Sequence, residues 1–263
     1  MSDLGTGTGT GAGVVERLRA AGCVFAEEEA EMLLASAAGP AELDLMVERR
    51  AAGLPLEHVV GWAGFAGLRI EVDGGVFVPR RRTEFLVGHA VELARPGAVC
   101  VDLCCGSGAA GAVLLDRVTG AEVHASDIEP AAVRCARRNV EPRGGRVYEG
   151  DLFAPLPPEL RGRVEVLVAN VPYVPTEEIG LLPPEARDHE PLVTLDGGGD
   201  GLDVLRRVAA EAPRWLAPGG HLLVETSERQ AESAAAVMSA CGLSPRVVTS
   251  EEWWATVVVA TRP

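Results

Sequence analysis

VEVLVANVPY, residues 164–173, is an apolar segment that runs into a polar turn stiffened by proline. Five of its first six residues are apolar, and the run is too short for a helix, so it predicts a β-strand. A strand that is apolar on both faces is typical of a parallel sheet. Ligands of such sheets bind beyond the carboxyl ends of the strands, which is where Asn170 falls.

The turn at the end of this strand offers two hydrogen-bond acceptors in a fixed relation. Asn170 has a side-chain carbonyl, Val171 has a main-chain carbonyl, and Pro172 restricts Val171 to an extended conformation. Two adjacent acceptors can bind both hydrogens of a planar NH2 group, and the ring of Tyr173 can stack on a flat amide or base. We therefore predict Asn170, Val171, Pro172 and Tyr173 as catalytic residues, although an ordinary strand end would look the same in isolation.

Strands alternate with helices through the rest of the chain. The predicted strands cover residues 99–103, 122–127, 146–149, 164–169, 220–225, 245–250 and 256–261. The predicted helices between them cover residues 83–93, 109–117, 130–140, 202–215 and 230–240, and residues 181–200 read as a loop rich in proline and glycine. This alternation predicts an α/β fold with a doubly wound, mostly parallel sheet of seven strands.

The N-terminal third differs in character. We predict a disordered tail over residues 1–13, a small helical domain over 14–60, a β-hairpin linker over 61–82 and the main α/β domain over 83–263. The alternating residues 68–72 and the run 76–79 would form the hairpin, with Asp73-Gly74-Gly75 as its turn. Arg80-Arg81-Arg82 is either a solvated loop or a contact to an acidic partner or a cofactor carboxylate.

Composition limits the function classes. The net charge is −14 and all 24 basic residues are arginines, which disfavours a large nucleic-acid interface and predicts no stable nucleic-acid partner. The six cysteines show no C-x-x-C spacing, so we expect no metal site. No apolar run approaches the length of a membrane span, and the N-terminus lacks the pattern of a signal peptide, so we expect a cytoplasmic protein.

The loop GSGAAG at residues 106–111 matches G-x-G-x-x-G, which would cradle a pyrophosphate in a dinucleotide enzyme. The alternative ligand is S-adenosylmethionine. Acids at successive strand ends favour it: Asp102 suits the cofactor ammonium or the loop, and Asp127 suits the ribose hydroxyls. Asp151 could accept from the adenine amino group while Leu152 flanks the ring.

These motifs resemble the release factor glutamine methyltransferase family over roughly residues 55–263. The motifs that carry the resemblance are VPR at 78–80 with Thr83-Glu84, VDLCCGSGA at 101–109, SDI at 126–128, GDLF at 150–153, NVPY at 170–173, EPL at 190–192, LDGG at 195–198 and Gly201-Leu202. The resemblance implies a Rossmann-like class I methyltransferase fold and S-adenosyl-L-methionine as cofactor, with S-adenosyl-L-homocysteine as product. It also implies that residues 170–173 hold a target glutamine.

The predicted cofactor-binding residues combine this resemblance with the strand-end acids. They are Asp102, Cys104, Cys105, Gly106, Ser107, Gly108, Asp127, Ile128, Asp151, Leu152 and Asn170. The chain departs from the family pattern at Cys104 and Cys105 in the loop, at Arg81 and Arg82 where a proline and an acid are usual, and at Val171 where a proline is usual. These departures bear more on the substrate than on the cofactor.

The predicted activity is methylation of a glutamine side-chain amide in a protein, most simply a peptide chain release factor. Three different functions stay open at this point: a methyltransferase of exocyclic amino groups in RNA or DNA, an NAD(P)-binding reductase that uses the G-x-G-x-x-G loop, and a non-catalytic methyltransferase-like module. No membrane partner is expected, and the sequence leaves the oligomeric state open.

Overall fold

The strands form a central sheet and a separate hairpin in a computed structural model that describes residues 11–263. In chain order the strands are β1 Trp62–Phe65, β2 Leu68–Glu71, β3 Val99–Leu103, β4 Glu122–Asp127, β5 Arg146–Glu149, β6 Val164–Ala169, β7 Leu216–Thr226, β8 Ser244–Ser250 and β9 Ala255–Thr261. The central sheet has the order β5-β4-β3-β6-β7-β9-β8. Strands β3 to β7 are mutually parallel, and β9 runs antiparallel to both of its neighbours. The predicted seven-stranded, mostly parallel sheet is confirmed.

The chain has ten α-helices among residues 11–263. In chain order they are α1 Gly11–Ala20, α2 Ala26–Ser36, α3 Pro40–Ala51, α4 Leu56–Val60, α5 Thr83–Leu93, α6 Ala109–Arg117, α7 Pro130–Val140, α8 Pro184–His189, α9 Asp203–Trp215 and α10 Ala231–Ala240. Those from α5 onward include the ones that pack on the two faces of this sheet. Helix α8 lies within residues 181–200, where the sequence predicts a loop. Among residues 11–263, no helix combines the length and apolar character that crossing a membrane requires.

The core explains why β6 is apolar on both faces. Leu167 and Ala169 pack in a cluster with residues of α9 and α10, whereas Val166 and Val168 pack in a cluster with α5 and α6. Both clusters are fully buried along this strand. Strand order reverses between β3 and β6, and in sheets of this kind that reversal opens a crevice at the carboxyl ends of the strands.

The hairpin lies earlier in the chain than predicted. Strands β1 and β2 pair antiparallel, with Phe65 opposite Leu68, so Ala66 and Gly67 form the turn. Both turn residues have positive φ, 50° and 83°, which suits the twist of a two-residue hairpin. The sequence Asp73-Gly74-Gly75 looks like a stronger turn signal, but it does not join paired strands.

Residues 76–79 form no strand, which corrects the prediction. Their backbone is satisfied by side chains instead of by a ladder: the Val78 N–H donates to Glu190 at 3.0 Å, and the Val76 carbonyl lies 2.8 Å from a ring nitrogen of His58. The segment therefore connects the hairpin to the residues before α5 without pairing with a strand.

The N-terminal helices form their own small core. Most of the predicted tail lies outside the described residues, but Gly11–Gly13 belong to α1, so the predicted tail extends too far. Buried residues of α1 to α4, among them Leu18, Leu33, Val47 and Val59, pack together. The domain boundaries at 14–60, 61–82 and 83–263 stay a prediction.

Arg50 connects this helical core to the rest of the chain. Its Nε and Nη2 donate to the two carboxylate oxygens of Glu29 at 2.6 and 2.9 Å, and its Nη1 donates to the carbonyl of Leu54 at 3.1 Å. Nη1 also lies 2.8 Å from the carboxylate of Glu185 on α8. Arg50 is 7% exposed and Glu29 is 9% exposed, so the pair is shielded from water.

Replacing Arg50 with Met should lower the free energy of unfolding by about 3 kcal/mol, because Glu29 would become a buried charge without a partner. Arg19→Met is the control, since it breaks an exposed pair with Glu27 and should change stability by less than about 0.5 kcal/mol. Urea unfolding of both variants measures this. Equal losses of unfolding free energy in the two variants would contradict the prediction that the buried Arg50–Glu29 pair matters more than the exposed one.

Candidate active site

A cavity of about 310 Å³ lies at the carboxyl ends of β3, β4 and β6, where the strand order reverses. Many of the predicted site residues line it: Asp102, Cys104, Cys105, Gly106, Ser107, Asp127, Ile128, Asn170, Val171, Pro172 and Tyr173. Phe65, residues around 77–83 and residues of the 182–195 segment complete the wall. The sheet therefore brings together residues that lie far apart in the chain.

Three predicted cofactor residues do not line the cavity. Gly108 precedes α6 with a φ of 77°, and a Cβ there would lie 2.8 Å from a methyl of Val140, so this glycine lets α6 pack against α7. Asp151 forms an ion pair with Arg207 of α9. Leu152 is buried in the core beneath the strand ends. Their predicted contacts to a cofactor stay a prediction.

The loop after β3 folds back over the end of β4. The Gly106 N–H donates to Asp127 at 2.8 Å, and the Cys105 N–H donates to the carbonyl of Ser126 at 3.1 Å. Gly106 has a φ of 55°, and Cys104 has a φ of 54° although it is not a glycine. A left-handed conformation costs a non-glycine residue about 1 kcal/mol or more, so the loop holds Cys104 in place against local strain.

Asp102 and Asp127 hold backbone groups as well as facing the cavity. Asp127 accepts from Gly106 with one oxygen and from the Glu129 N–H, at 2.9 Å, with the other. Asp102 accepts from the Gly111 N–H at 2.9 Å. Burial raises the pKa of Asp127, and burial together with the charge of Asp127 raises the pKa of Asp102 to about 7. Each carboxylate oxygen has two lone pairs, so both acids can still accept from a ligand.

Asn170 presents an unsatisfied acceptor. Its Oδ1 is buried and has no hydrogen-bond partner, and within residues 11–263 only one other buried side-chain atom, Nε2 of His89, shares that condition. Leaving a buried amide oxygen unpaired costs about 1–3 kcal/mol. Such groups are rare in folded proteins and call for an explanation. A ligand that brings an N–H donor into the cavity would satisfy this oxygen.

Tyr173 is held at both ends. Its hydroxyl donates to Glu225 at 2.8 Å and accepts from Arg82 at 2.7 Å. Its main-chain carbonyl accepts from the side-chain amide of Gln230 at 2.9 Å. Burial, reinforced by the charge of Glu225, raises the pKa of Tyr173, so the phenol stays neutral.

Each residue of the arginine triplet contacts another part of the chain. Arg80 donates to Glu190 at 2.6 Å, Arg82 donates to Glu225 at 2.9 Å, and the Arg81 guanidinium lies 5.5 Å from the ring centre of Trp253. The acidic partner of the triplet is therefore internal. Sequence reasoning missed Glu225, although it is a carboxylate near the end of a strand, as Asp102 and Asp127 are.

Backbone from the 195–201 segment packs directly against the turn after β6. The Val174 N–H donates to the carbonyl of Leu195 at 3.0 Å, and the Gly197 N–H donates to the carbonyl of Val174 at 2.9 Å. Gly201 has a φ of 76°, and a Cβ there would overlap the Tyr173 carbonyl and the amide of Gln230. The glycines of this segment thus fix the position of the 170–173 backbone.

Comparisons with known proteins agree on one class. Residues 68–180 match the family model described as Methyltransferase small domain. Several relatives are described as release factor glutamine methyltransferase; the one from Streptomyces coelicolor is 39% identical over 214 residues, which covers 80% of this chain and 72% of that protein. A 4-amino-L-phenylalanine/4-methylamino-L-phenylalanine methyltransferase from Streptomyces pristinaespiralis is 39% identical over 205 residues, covering 74% of this chain and 69% of that one.

Among solved structures, a methyltransferase from Pyrococcus furiosus aligns with a TM-score of 0.57 at 16% identity. The alignment covers 85% of this chain and 99% of that chain. At this identity the likeness supports the fold alone.

Gly201→Ala should destabilise the protein by about 2 kcal/mol or more, because the new Cβ meets backbone and the φ is unfavourable for alanine. Gly199→Ala is the matched control: its Cβ would have no neighbour within 4 Å, and stability should change by less than about 0.5 kcal/mol. Thermal unfolding distinguishes the two. Similar melting temperatures for both variants would contradict the prediction, because they would show that residues 195–201 can move to accept the new Cβ at position 201.

Asp102 should make the protein less stable as pH rises. Burial raises its pKa from the ordinary 3.8 to about 7 in the folded state, so its favourable contribution is complete below pH 3.8 and is lost as pH rises through 7. Asp102→Asn stays neutral, so its stability relative to the wild type should improve between about pH 4 and pH 8 by on the order of 3 kcal/mol. Urea unfolding at several pH values tests this, and parallel stability curves for the two proteins would refute it.

Proposed function

Because the chain belongs to the release factor glutamine methyltransferase family, we propose that it methylates the side-chain amide nitrogen of a glutamine in a protein, and that this protein is a peptide chain release factor. It is a class I enzyme that depends on S-adenosylmethionine. The observation that carries the proposed substrate chemistry is the buried, unpaired Oδ1 of Asn170 beside the cavity.

The cavity residues fit the cofactor. S-adenosylmethionine supplies a methyl group on a positively charged sulfur. The proposed contacts are the backbone of residues 104–107, the carboxylate of Asp127 for the ribose hydroxyls, and Ile128, which is 52% exposed at the cavity wall and can cover an aromatic base. Asp102 is placed between the loop and the cavity, where its carboxylate suits an ammonium group.

Asn170 and Val171 would bind the substrate nitrogen. The Oδ1 of Asn170 and the carbonyl of Val171 can each accept one hydrogen of the glutamine NH2 group. The lone pair of an amide nitrogen is shared with its carbonyl, so the nitrogen would pyramidalise and gain positive charge as its bond to the methyl group forms and the sulfur–methyl bond breaks. The methylated amide would then lose one N–H proton to water. Two acceptors strengthen their hydrogen bonds as that charge develops, which lowers the barrier. Holding the nitrogen in a reactive orientation contributes further, up to about 7–11 kcal/mol in the best cases.

A second candidate substrate is a small aromatic amine. The relative that is named for 4-amino-L-phenylalanine has the same identity to this chain, 39%, as the Streptomyces coelicolor release factor enzyme, over 205 residues instead of 214. An aryl NH2 group also carries two hydrogens, and the apolar cavity residues Phe77, Leu182 and Leu195 could contact an aromatic ring.

A reductase and a nucleic-acid methyltransferase both lose support. Membership of a methyltransferase family decides against a nucleotide-dependent reductase. The net charge of −14 counts against nucleic acid as the substrate. The cytoplasmic location expected from the sequence stays a prediction, and the oligomeric state stays open.

The test is transfer of labelled methyl from S-adenosylmethionine to a purified release factor, followed by peptide mapping. We expect label on the glutamine of its Gly-Gly-Gln tripeptide. No label on the release factor, with label on 4-amino-L-phenylalanine in a parallel reaction, would favour the second candidate.

Asn170→Ala should lower kcat/KM by about 100-fold or more, because one of the two acceptors for the NH2 group is lost. The dissociation constant of S-adenosylmethionine, measured by calorimetry, should change by less than about threefold, because the substitution removes a hydrogen-bond acceptor for the substrate NH2 group. Asn170→Asp keeps an oxygen at Oδ1 and serves as the conservative comparison, with activity above that of the alanine variant. Near-normal turnover by Asn170→Ala would overturn the role assigned to Asn170.

A further inference from the structure

We propose that Arg82 is a positioning residue of this enzyme, which acts with Glu225 to fix the ring of Tyr173 against the substrate amide. The inference rests on the proposed function, because it assumes that the substrate amide lies beside Tyr173. It adds two residues, Arg82 and Glu225, to the machinery that the turn at 170–173 provides.

Three separate elements meet at this point. Arg82 immediately precedes α5, Tyr173 follows β6, and Glu225 lies near the end of β7. The Arg82 Nε donates to Glu225 Oε1 at 2.9 Å, and its Nη2 donates to the Tyr173 hydroxyl at 2.7 Å. The Tyr173 hydroxyl donates to the same carboxylate oxygen at 2.8 Å. The three side chains therefore form a closed ring of hydrogen bonds, which we call the Tyr173 clamp.

The charge of Glu225 makes Arg82 necessary to the clamp. Glu225 is 2% exposed, and its other oxygen accepts from the Thr83 hydroxyl at 2.7 Å. A carboxylate with so little access to water needs a cationic partner to remain charged at low cost. Arg82 supplies that charge, whereas Thr83 and Tyr173 are neutral donors.

The planar guanidinium also sets the direction of the tyrosine. Arg82 binds the carboxylate and the phenol through two different nitrogens of one rigid plane, which a lysine ammonium cannot reproduce. The guanidinium carbon lies 6.0 Å from the centre of the Tyr173 ring, so the group lies at the hydroxyl end of the ring. Without Arg82, a single hydrogen bond to Glu225 would hold the hydroxyl.

The clamp uses both hydrogen-bonding capacities of the phenol. The hydroxyl donates its one hydrogen to Glu225 and accepts from Arg82, so it is occupied by the clamp and its contribution to catalysis is the placement of the ring. Arg82 and Tyr173 line the same cavity as the proposed cofactor contacts, but they are not among those contacts, which are Asp102, residues 104–107, Asp127 and Ile128. Loss of the clamp should consequently affect turnover more than cofactor affinity.

The experiment compares Arg82→Gln, Arg82→Lys, Tyr173→Phe and the double variant Arg82→Gln/Tyr173→Phe in the full-length enzyme. Arg81→Gln is the matched control, since Arg81 is the adjacent arginine, packs on Trp253 and does not line the cavity. The measurements are kcat and KM for the release factor, the dissociation constant of S-adenosylmethionine, and the melting temperature.

Arg82→Gln should lower kcat by about 10- to 100-fold, as expected when a reacting group is displaced by a fraction of an ångström to about 1 Å. The cofactor dissociation constant should stay within about threefold, Arg82→Lys should recover part of the loss because it restores the charge, and Arg81→Gln should match the wild type. In the Tyr173→Phe background, Arg82→Gln should lower kcat by less than about threefold, because the hydroxyl that Arg82 positions is absent.

Two results would overturn the proposal. Normal kcat in Arg82→Gln is one, and an undiminished effect of that change in the Tyr173→Phe background is the other. If the wild type transfers no methyl to the release factor, the proposed function fails, and NMR of selectively labelled tyrosine decides on the clamp itself. The chain has two tyrosines, so Tyr173→Phe assigns the signals, and Tyr173 ring signals that do not change in Arg82→Gln would refute the clamp.

Discussion

Burial of the central strands on both faces is the constraint on which the rest of the structure depends. Residues of β3 and β6 point alternately into two apolar cores, and only Glu165, near the start of β6, reaches water. The carboxyl ends of the strands lie outside both cores. Asp102, Asp127, Asn170 and Glu225 all fall at such ends, and the cavity lies among them.

This constraint explains what the sequence could predict. Asn170 follows a clear apolar run and Asp127 ends a short predicted strand, so their position at one edge of a parallel sheet follows from local pattern. Arg82 and Glu225 are 143 residues apart in the sequence, and no local pattern predicts a contact at that separation. Gly108 shows a related limit, because a glycine that admits a neighbouring helix looks the same in a sequence as one that admits a ligand. The predicted hairpin lies too late in the chain because Ala66-Gly67 is a weaker turn signal than Asp73-Gly74-Gly75.

The absence of lysine acquires a structural meaning in this fold. Arg50 and Arg82 each bind two acceptors that lie on different segments of the chain, and Arg138 binds both Glu71 and Asp73. Arg80 adds a further connection, because its partner Glu190 also accepts from the Val78 backbone. A planar guanidinium suits such double contacts better than an ammonium does. Arginines thus join the helical core, the hairpin region and the 182–195 segment around the cavity.

The unpaired oxygen of Asn170 places stability and activity in opposition. A buried amide oxygen that has no hydrogen-bond donor destabilises the folded chain until substrate binds. An apolar residue of similar size would therefore make the protein without substrate more stable. Selection for thermal stability alone would therefore favour replacement of Asn170, whereas selection for methyl transfer would favour keeping it. Thermostabilised versions of this enzyme are best sought with position 170 held fixed.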